Sequence, residues 1–319
     1  MISFVGAGPG DIELLTVKGQ QLLEQADAVI YDRLVNPLLL FHCKATCDFY
    51  YVGKTPYQHS TKQTEINVLL KEKPKKYQRI VRLKGGDPEI FGRLSEELEI
   101  VTNEGYSFEI VPGVTAASGS AAYSGLSLTK RGIARGVTFL TGHLKENQVN
   151  QVINFPKEQT LCLYMGMEAL KTLIPQLKEC QTNVHLAIIE WGTLGRQKRI
   201  FGTVDDILSK LQTNQIQNPA MILIGEAVAE KAAYPWFDKL EKAGEQLLLI
   251  STERPTMTEL MEYTSQGADI WWHQVGETRD KRFDEVSKRM MQEINFPTLI
   301  FKTQQAEALF EQDVIEKQV

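Results

Sequence analysis

Residues 2–19, ISFVGAGPGDIELLTVKG, hold the pattern that decides the fold: a short apolar run, a glycine cluster and an amphipathic stretch. A strand that enters a glycine-rich turn and continues as a helix is typical of an α/β sheet that brings its backbone close to a ligand. The dinucleotide fingerprint G-x-G-x-x-G requires a third glycine at position 11, where this chain has Asp11, and Pro9 removes one amide donor. The loop therefore predicts a ligand site, but not a pyrophosphate site.

The chain beyond this stretch divides into three segments. Residues 1–113 alternate apolar runs with amphipathic stretches, one of them a helix over residues 11–26, which predicts an α/β domain with a largely parallel sheet. Residues 114–240 predict a second α/β domain with a mixed sheet, in which residues 198–203 form an edge strand. Residues 245–319 repeat a βαβαβ pattern and predict a small appended module.

Composition narrows the class of protein. The net charge of −5 over 319 residues gives no indication of nucleic acid or an anionic membrane as a partner. No apolar run reaches the roughly 18 to 20 residues of a spanning helix, and the N-terminus has no basic leader, so we expect a cytoplasmic protein. Cys43 and Cys47 lack a second cysteine pair at ligand spacing, so we expect reduced thiols and no metal site.

Three further stretches follow predicted strands or open helices. RLKGGDPEIFGR, residues 82–93, predicts a ligand turn at the carboxyl edge of a parallel sheet, with Asp87 capping a helix that starts at Pro88. The small residues from Thr115 to Ser118 at a helix start suit either a flat ligand or close helix packing. Lys130, Arg131 and Arg135 form either a solvated face or a site for carboxylates. From these residues alone, the protein is an α/β enzyme or binding protein with an anionic ligand.

Nine segments in order resemble the tetrapyrrole methylases, in particular those acting on uroporphyrinogen III. Between Met1 and Trp236 they read VGAGPGDIELLTVKG, VIYDRLV, VGK, VRLKGGDPEIFGR, VPGVTAA, LTKRG, TFLTGH, LYMGM and NPAMILIG. The resemblance implies two α/β domains with the active site in the cleft between them, a homodimer, no metal, and S-adenosylmethionine (SAM) as methyl donor. It implies methylation of two pyrrole carbons to give precorrin-2, in sirohaem or cobalamin synthesis.

The resemblance also implies roles for individual residues. Asp32 matches the position of the proton acceptor, Lys54 that of the donor, and Arg93 a catalytic position beside the substrate. The substrate-side positions are Glu96, Arg131 and His143. The positions that line the cofactor site are Pro9, Gly85, Gly86, Asp87, Ile90, Thr115, Ala116, Met165, Gly192 and Ala220.

Two departures bear on the substrate. The family usually reads GGDPFIFGRGGEE, whereas this chain has Glu89 in place of the aromatic residue and Leu94-Ser95 in place of the glycine pair. Bulkier residues beside Arg93 are expected to reshape the substrate pocket. A methylase of a later corrin precursor, or an inactive SAM-binding regulatory protein, therefore stay as alternatives.

The C-terminal module has two interpretations. LLLISTERP, GADIWWHQV and FPTLIFKTQQAEALF faintly resemble the first part of uroporphyrinogen-III synthase, whose complete fold requires far more chain than residues 245–319. The segment is therefore either a partial synthase-like domain without its own activity or an unrelated docking module.

Overall fold

The computed structural model describes residues 1–53, 63–142, 158–180, 184–230, 233–294 and 296–316. The chain forms two compact units. The first unit comprises Met1–Gly113, Leu194–Arg196 and Leu240–Val319, and the second comprises Val114–Thr193 and Gln197–Lys239. No helix of the described residues has the length and apolar character needed to cross a membrane.

The first unit begins with a five-stranded sheet in the order β3-β2-β4-β1-β5, and every pair in it is parallel. Its strands are β1 (Ile2–Gly6), β2 (Ala28–Tyr31), β3 (Asp48–Tyr51), β4 (Ile80–Lys84) and β5 (Phe108–Val111). Its helices are α1 (Val17–Gln25), α2 (Gln63–Glu72) and α3 (Leu94–Asn103). The predicted α/β class and parallel sheet are confirmed, and all carboxyl ends of these strands lie at one edge.

The single helix predicted over residues 11–26 is wrong in one respect. A short 3-10 helix covers Ile12–Leu14, and α1 begins only at Val17. Leu15 and Thr16 have extended backbone between them, and the Thr16 hydroxyl accepts a hydrogen bond from Gly19 N to cap α1. A side chain that caps a new helix competes with continuation of the first one, which the apolar periodicity alone does not reveal.

The second unit holds a mixed five-stranded sheet in the order β6-β7-β10-β8-β9. Its strands are β6 (Gly136–Thr141), β7 (Gln159–Tyr164), β8 (His185–Glu190), β9 (Lys198–Thr203) and β10 (Ala220–Ile224). Its helices are α4 (Ala116–Tyr123), α5 (Leu170–Cys180) and α6 (Ile207–Thr213). β9 is an edge strand, as predicted, and only the β6-β7 pair is parallel.

The C-terminal part of the first unit adds a three-stranded parallel sheet in the order β12-β11-β13. Its elements are β11 (Gln246–Ser251), α7 (Met257–Thr264), β12 (Asp269–Gln274), α8 (Asp284–Glu293), β13 (Thr298–Phe301) and α9 (Gln304–Glu316). Trp271, Trp272 and Phe283 are buried in one apolar core with Phe41 and Leu39, which precede β3. This segment, hereafter the C-terminal module, therefore packs directly against the first sheet.

Candidate functional site

Three loops at the carboxyl edge of the first sheet interlock through glycine backbone. Gly8 and Gly86 exchange two hydrogen bonds, of 2.7 Å from Gly86 N to Gly8 O and 3.2 Å in the other direction. Both have positive φ, 76° at Gly8 and 69° at Gly86, which glycine adopts without strain. A Cβ added to Gly6 would lie 2.6 Å from Gly113 Cα, so these two backbones approach too closely for any side chain.

The same contacts determine which ligands this loop can hold. Ala7 N donates to Lys84 O at 2.8 Å, and the N–H groups of Gly8 and Gly86 are used by each other. Pro9 has no N–H to donate. Because these amides are engaged within the protein, the loop is not arranged as a phosphate cradle, in agreement with the missing dinucleotide fingerprint.

Asp87 joins two of the loops and does not cap a helix, so that prediction was wrong. Its carboxylate accepts hydrogen bonds from Gly113 N at 3.0 Å and from Glu89 N at 2.8 Å. Helix α3 starts only at Leu94, because Phe91 and Arg93 both have φ of 54°, outside the helical region. Asp87 thus fixes the loop after β4 against the end of β5.

Asp32, at the carboxyl end of β2, is held by a buried network of charges. Arg82 on β4 donates to Asp32 Oδ1 at 2.8 Å and to both oxygens of Glu97 on α3, at 2.9 and 3.1 Å. Lys84 donates to Glu97 Oε1 at 2.7 Å. Arg82 and Glu97 are each 1 % exposed, whereas the Asp32 side chain is 31 % exposed. The network therefore presents one carboxylate at the surface and buries its partners.

Burial and charge act in opposite directions on this network. Burial tends to raise the pKa of Glu97, but the Arg82 and Lys84 cations outweigh it and hold that pKa below its usual range. Burial lowers the pKa of Lys84, and the neighbouring Arg82 lowers it further. Glu97 therefore stays ionised at neutral pH and is the shared anionic partner of the two buried cations.

Arg93 and Glu96 lie at the surface beside this network. Arg93 Nε and Nη2 form a bidentate pair with Glu96, at 2.8 and 2.6 Å, and both side chains are about half exposed. Leu94, which replaces a family glycine, is 7 % exposed and packs in the core with Ile2 and Phe4. The added bulk of Leu94 is thus accommodated inside the first unit.

The remaining residues of this set occupy the same edge. Gly85 lies beside Leu34, Ile90 N donates to Asp87 O at 3.3 Å, and Pro9 is half-buried. Glu89, which replaces the aromatic residue, is exposed. Lys54 lies outside the described residues.

The second unit brings its predicted residues together through Tyr164. The Tyr164 hydroxyl forms a 2.6 Å hydrogen bond with Thr115 Oγ1 and accepts one from Ala117 N at 3.3 Å. Thr115 occupies the N-cap position of α4 without a side-chain hydrogen bond to the helix, and Ala116 begins the helix. Met165, which follows Tyr164, has φ of 52° and is 44 % exposed. The Tyr164 hydroxyl therefore joins the end of β7 to the start of α4, where the side chains are small.

The loop after β8 completes this edge. A Cβ added to Gly192 would lie 2.8 Å from Ser120 Cβ, so only glycine fits against α4 here. Its neighbours Trp191 and Thr193 have φ of 48° and 75°. Such left-handed backbone in residues other than glycine costs about 1–3 kcal/mol and is enriched at functional sites. Ala220 begins β10 opposite Glu190, which places it next to this loop.

Arg131 is not brought to this edge by any contact the structure gives. It is exposed in a turn closed by hydrogen bonds of 2.8 Å between Lys130 and Ala134. Arg135 pairs with exposed Glu158 at 3.0 Å. These basic residues therefore form a solvated turn in this structure. His143 lies outside the described residues.

The described residues offer no metal site, and their cysteines are free thiols. Within the described ranges no three histidine, cysteine or acidic side chains cluster as metal ligands. Cys43, Cys47 and Cys162 are buried free thiols.

Sequence reasoning missed three important side chains on β4 and α3. Arg82 and Lys84 were predicted only as part of the glycine motif of residues 82–93, and Glu97 was not predicted at all. The available signal was a charge at two alternating positions of a central parallel strand, where both faces are normally apolar. Tyr164 gave no comparable signal, because its hydroxyl partner is distant in sequence.

Three comparisons show which known proteins this chain resembles. The family model of the Tetrapyrrole (Corrin/Porphyrin) Methylases matches residues 1–208. A Bacillus subtilis uroporphyrinogen-III C-methyltransferase is 39 % identical over 279 residues, 85 % of this chain and 57 % of the relative. A Priestia megaterium protein of the same name is 42 % identical over 71 % of this chain and 98 % of its own length.

Solved structures agree with the sequence relatives. The uroporphyrin-III C-methyl transferase of Thermus thermophilus, complexed with S-adenyl homocysteine, is 34 % identical with a TM-score of 0.61. The match covers 71 % of this chain and 98 % of the Thermus thermophilus chain. A cobalt precorrin-4 methyltransferase is 29 % identical, also with a TM-score of 0.61, over 71 % of this chain and 95 % of its own.

Coverage differs among the curated relatives. The chain spans about half the length of several of them, including 52 % of a Pseudoalteromonas atlantica siroheme synthase that is 41 % identical to it. The match of the family model to residues 1–208, together with identities near 40 %, establishes the conclusion that this chain belongs to the tetrapyrrole methylase family.

Proposed function

We propose that this chain transfers two methyl groups from SAM to pyrrole carbons of uroporphyrinogen III, giving precorrin-2. The observation that carries the proposal is Asp32, a partly exposed carboxylate held by a buried arginine at the carboxyl edge of a parallel sheet. Support comes from the family and from relatives named for this reaction. The product would serve sirohaem or cobalamin synthesis.

Asp32 is proposed as the proton acceptor. Attack of a pyrrole carbon on a methyl group leaves a proton that must be lost to restore conjugation, and a positioned base accelerates such a step. Arg82 engages Asp32 Oδ1 and fixes the orientation of the carboxylate, which is 31 % exposed. The network thus holds the base in a fixed orientation before the reaction starts.

The residues present fit SAM better than a nucleotide. SAM supplies an electrophilic methyl group and carries no phosphate, and the glycine loop of the first unit has its amides engaged internally. In the second unit, the small residues at Thr115 and Ala116 and the exposed Met165 are proposed to contact SAM. Pro9, Gly85, Gly86, Asp87, Ile90, Gly192 and Ala220 complete the proposed cofactor positions. No metal is required by this reaction.

The substrate carries carboxylate arms, for which guanidinium groups offer two parallel donors. Arg93 is proposed to bind one such arm by exchanging its exposed partner Glu96. Glu96, Arg131 and His143 are proposed as further substrate residues, and Lys54 as the proton donor. An exposed pair is worth only about 0–1 kcal/mol, so the exchange costs little.

Methylation of a later corrin precursor is the second candidate. It is favoured by the equal TM-score of 0.61 with the cobalt precorrin-4 methyltransferase, although identity is lower, at 29 % against 34 %. A SAM-binding protein without activity is the third candidate. It is disfavoured because Arg82 holds Asp32 as a partly exposed carboxylate, which binding of SAM alone does not require. We further propose a cytoplasmic location and a homodimer. Light scattering of the purified protein would measure the mass of the dimer.

The test is an anaerobic incubation of the purified protein with SAM and either uroporphyrinogen III or a corrin precursor. We expect a gain of two methyl groups on uroporphyrinogen III, measured by product mass and absorbance. Methylation of the corrin precursor alone would replace the proposal by the second candidate. Binding of SAM without transfer to either would leave the third.

A further inference from the structure

The C-terminal module places an arginine against the ends of β2 and β3, beside the proposed proton acceptor Asp32. Arg289 on α8 lies with its guanidinium carbon 3.6 Å from the centre of the Tyr51 ring. Its Nη2 donates a hydrogen bond of 3.2 Å to the Tyr31 hydroxyl. Tyr31 is the last residue of β2 and Tyr51 the last residue of β3, and the two are register partners.

These two tyrosines lie close in sequence to both proposed acid–base positions. Tyr31 directly precedes Asp32, and the ring of Tyr51 packs so closely on Gly53 that an added Cβ there would overlap it. Gly53 directly precedes Lys54. The rings of Tyr31 and Tyr51 are 5.4 Å apart, so one guanidinium touches a continuous aromatic pair.

The contact is between a cation and neutral rings. Burial raises the pKa of Tyr31, and burial raises that of Tyr51 to about 12 against the opposing effect of Arg289. Both phenols are therefore protonated at neutral pH, and Arg289 acts through the face of one ring and the oxygen of the other. A planar cation held in this way restricts how the two strand ends can move.

A second arginine of the module makes a similar contact at the opposite end of β3. Arg282 lies 4.9 Å from the centre of the Phe49 ring and donates to Lys44 O and Cys47 O at 2.9 and 3.0 Å. Those carbonyls precede β3, away from the carboxyl edge at which parallel sheets bind ligands. Arg282 therefore serves to attach the module, whereas Arg289 reaches the edge that carries Asp32.

We propose that Arg289 is a positioning residue through which the C-terminal module holds the ends of β2 and β3, and with them Asp32, in the orientation that methyl transfer requires. The proposal rests on the methyltransferase function proposed above. The proposal assigns the module a role in positioning Asp32, which differs from both a partial synthase-like domain and a docking module.

The test compares Arg289→Ala with Arg289→Lys and the matched control Arg282→Ala in the full chain. Small displacements of reacting groups cost up to about 100-fold in rate, so we expect Arg289→Ala to lower kcat at least about tenfold. KM for SAM should stay within about twofold, because the loss falls on chemistry rather than binding. Arg289→Lys, which keeps the cation, should recover much of the rate, and Arg282→Ala should lower Tm while keeping kcat.

Hydrogen exchange provides a readout that does not use turnover. Val52 N donates to Tyr31 O at 3.0 Å and Asp32 N to Leu83 O at 3.4 Å, and both amides should exchange faster in Arg289→Ala than in Arg282→Ala. Unchanged exchange and unchanged kcat in Arg289→Ala, or equal loss of kcat in Arg282→Ala, would overturn the inference. An inactive wild type with the expected exchange pattern would instead reject the proposed substrate and retain the positioning role.

Discussion

The strand ends of the first unit and those of the second unit are held in place by different kinds of interaction. In the first, Asp32 is fixed by ionic hydrogen bonds from Arg82, which is itself tied to buried Glu97. In the second, a tyrosine hydroxyl bonds Thr115, Gly192 packs against the Ser120 side chain, and Met165 has left-handed backbone. The first edge is thus organised by charge, and the second by the close fit of backbone and side chains.

Removing Glu97 should have the largest effect on the charged edge. Glu97→Ala leaves Arg82 and Lys84 buried without their shared partner, and breaking a buried pair costs about 3–5 kcal/mol. We expect a corresponding fall in the free energy of unfolding, measured by urea denaturation. Glu96→Ala, on the same helix but in an exposed pair, is the matched control and should leave the urea midpoint unchanged. Equal effects of the two variants would show that the buried network does not stabilise the protein more than an exposed ion pair does.

Filling Gly192 should be the equivalent break in the second edge. Its φ lies outside the left-handed region, so the effect of Gly192→Ala comes from the contact with Ser120. Overpacking typically costs about 1–3 kcal/mol, which differential scanning calorimetry would detect as a lower Tm. The double variant with Ser120→Ala, which removes the nearest hydroxyl, should recover part of the loss. A single variant with unchanged Tm would show that shape is not constrained here.

Tyr164→Phe should act more mildly and more locally. The substitution removes the hydrogen bond to Thr115 Oγ1 and the one from Ala117 N, and a typical bond of this kind contributes about 1 kcal/mol. If α4 begins at the SAM site, affinity for SAM should fall several-fold, by calorimetry, and Tm should fall by only a few degrees, as the loss of two such bonds predicts. Unaltered affinity would separate Tyr164 from the cofactor position.

The charged edge should also lose stability in acid. The pKa of Glu97 in the folded protein lies below its unfolded value of about 4.3, because Arg82 and Lys84 outweigh the burial that opposes them. The unfolded chain therefore takes up the proton first, so the stabilisation is complete above about pH 5 and is lost as the pH falls through the folded pKa. In urea titrations from pH 7 to pH 3, the stability difference between wild type and Glu97→Gln should shrink towards the acid end. A constant difference would contradict this origin.

Much of the fold follows from local pattern, and much of the site does not. The apolar runs predicted the parallel sheet, and the segment from Lys198 to Thr203 is the edge strand expected from its sequence. The role of Asp87 was mispredicted because its partner, Gly113 N, is brought there only by the packing of β5 beside β1.

The buried network and the module contact are likewise tertiary. Arg82 and Glu97 are separated by an irregular loop whose left-handed Phe91 and Arg93 have no sequence signature. Arg289 meets Tyr31 across 258 residues. Family resemblance supplied Asp32 as a candidate, but only the structure supplies what holds it.

The most direct test of the account is anaerobic methyl transfer to uroporphyrinogen III by wild type and Asp32→Asn, measured beside their affinity for SAM. We expect the wild type to transfer two methyl groups. In Asp32→Asn we expect transfer to fall at least about 100-fold while SAM affinity is retained, since a positioned base typically contributes that much. An Asp32→Asn variant that transfers both methyl groups at the rate of the wild type would contradict the central claim that the carboxylate held by Arg82 is the proton acceptor.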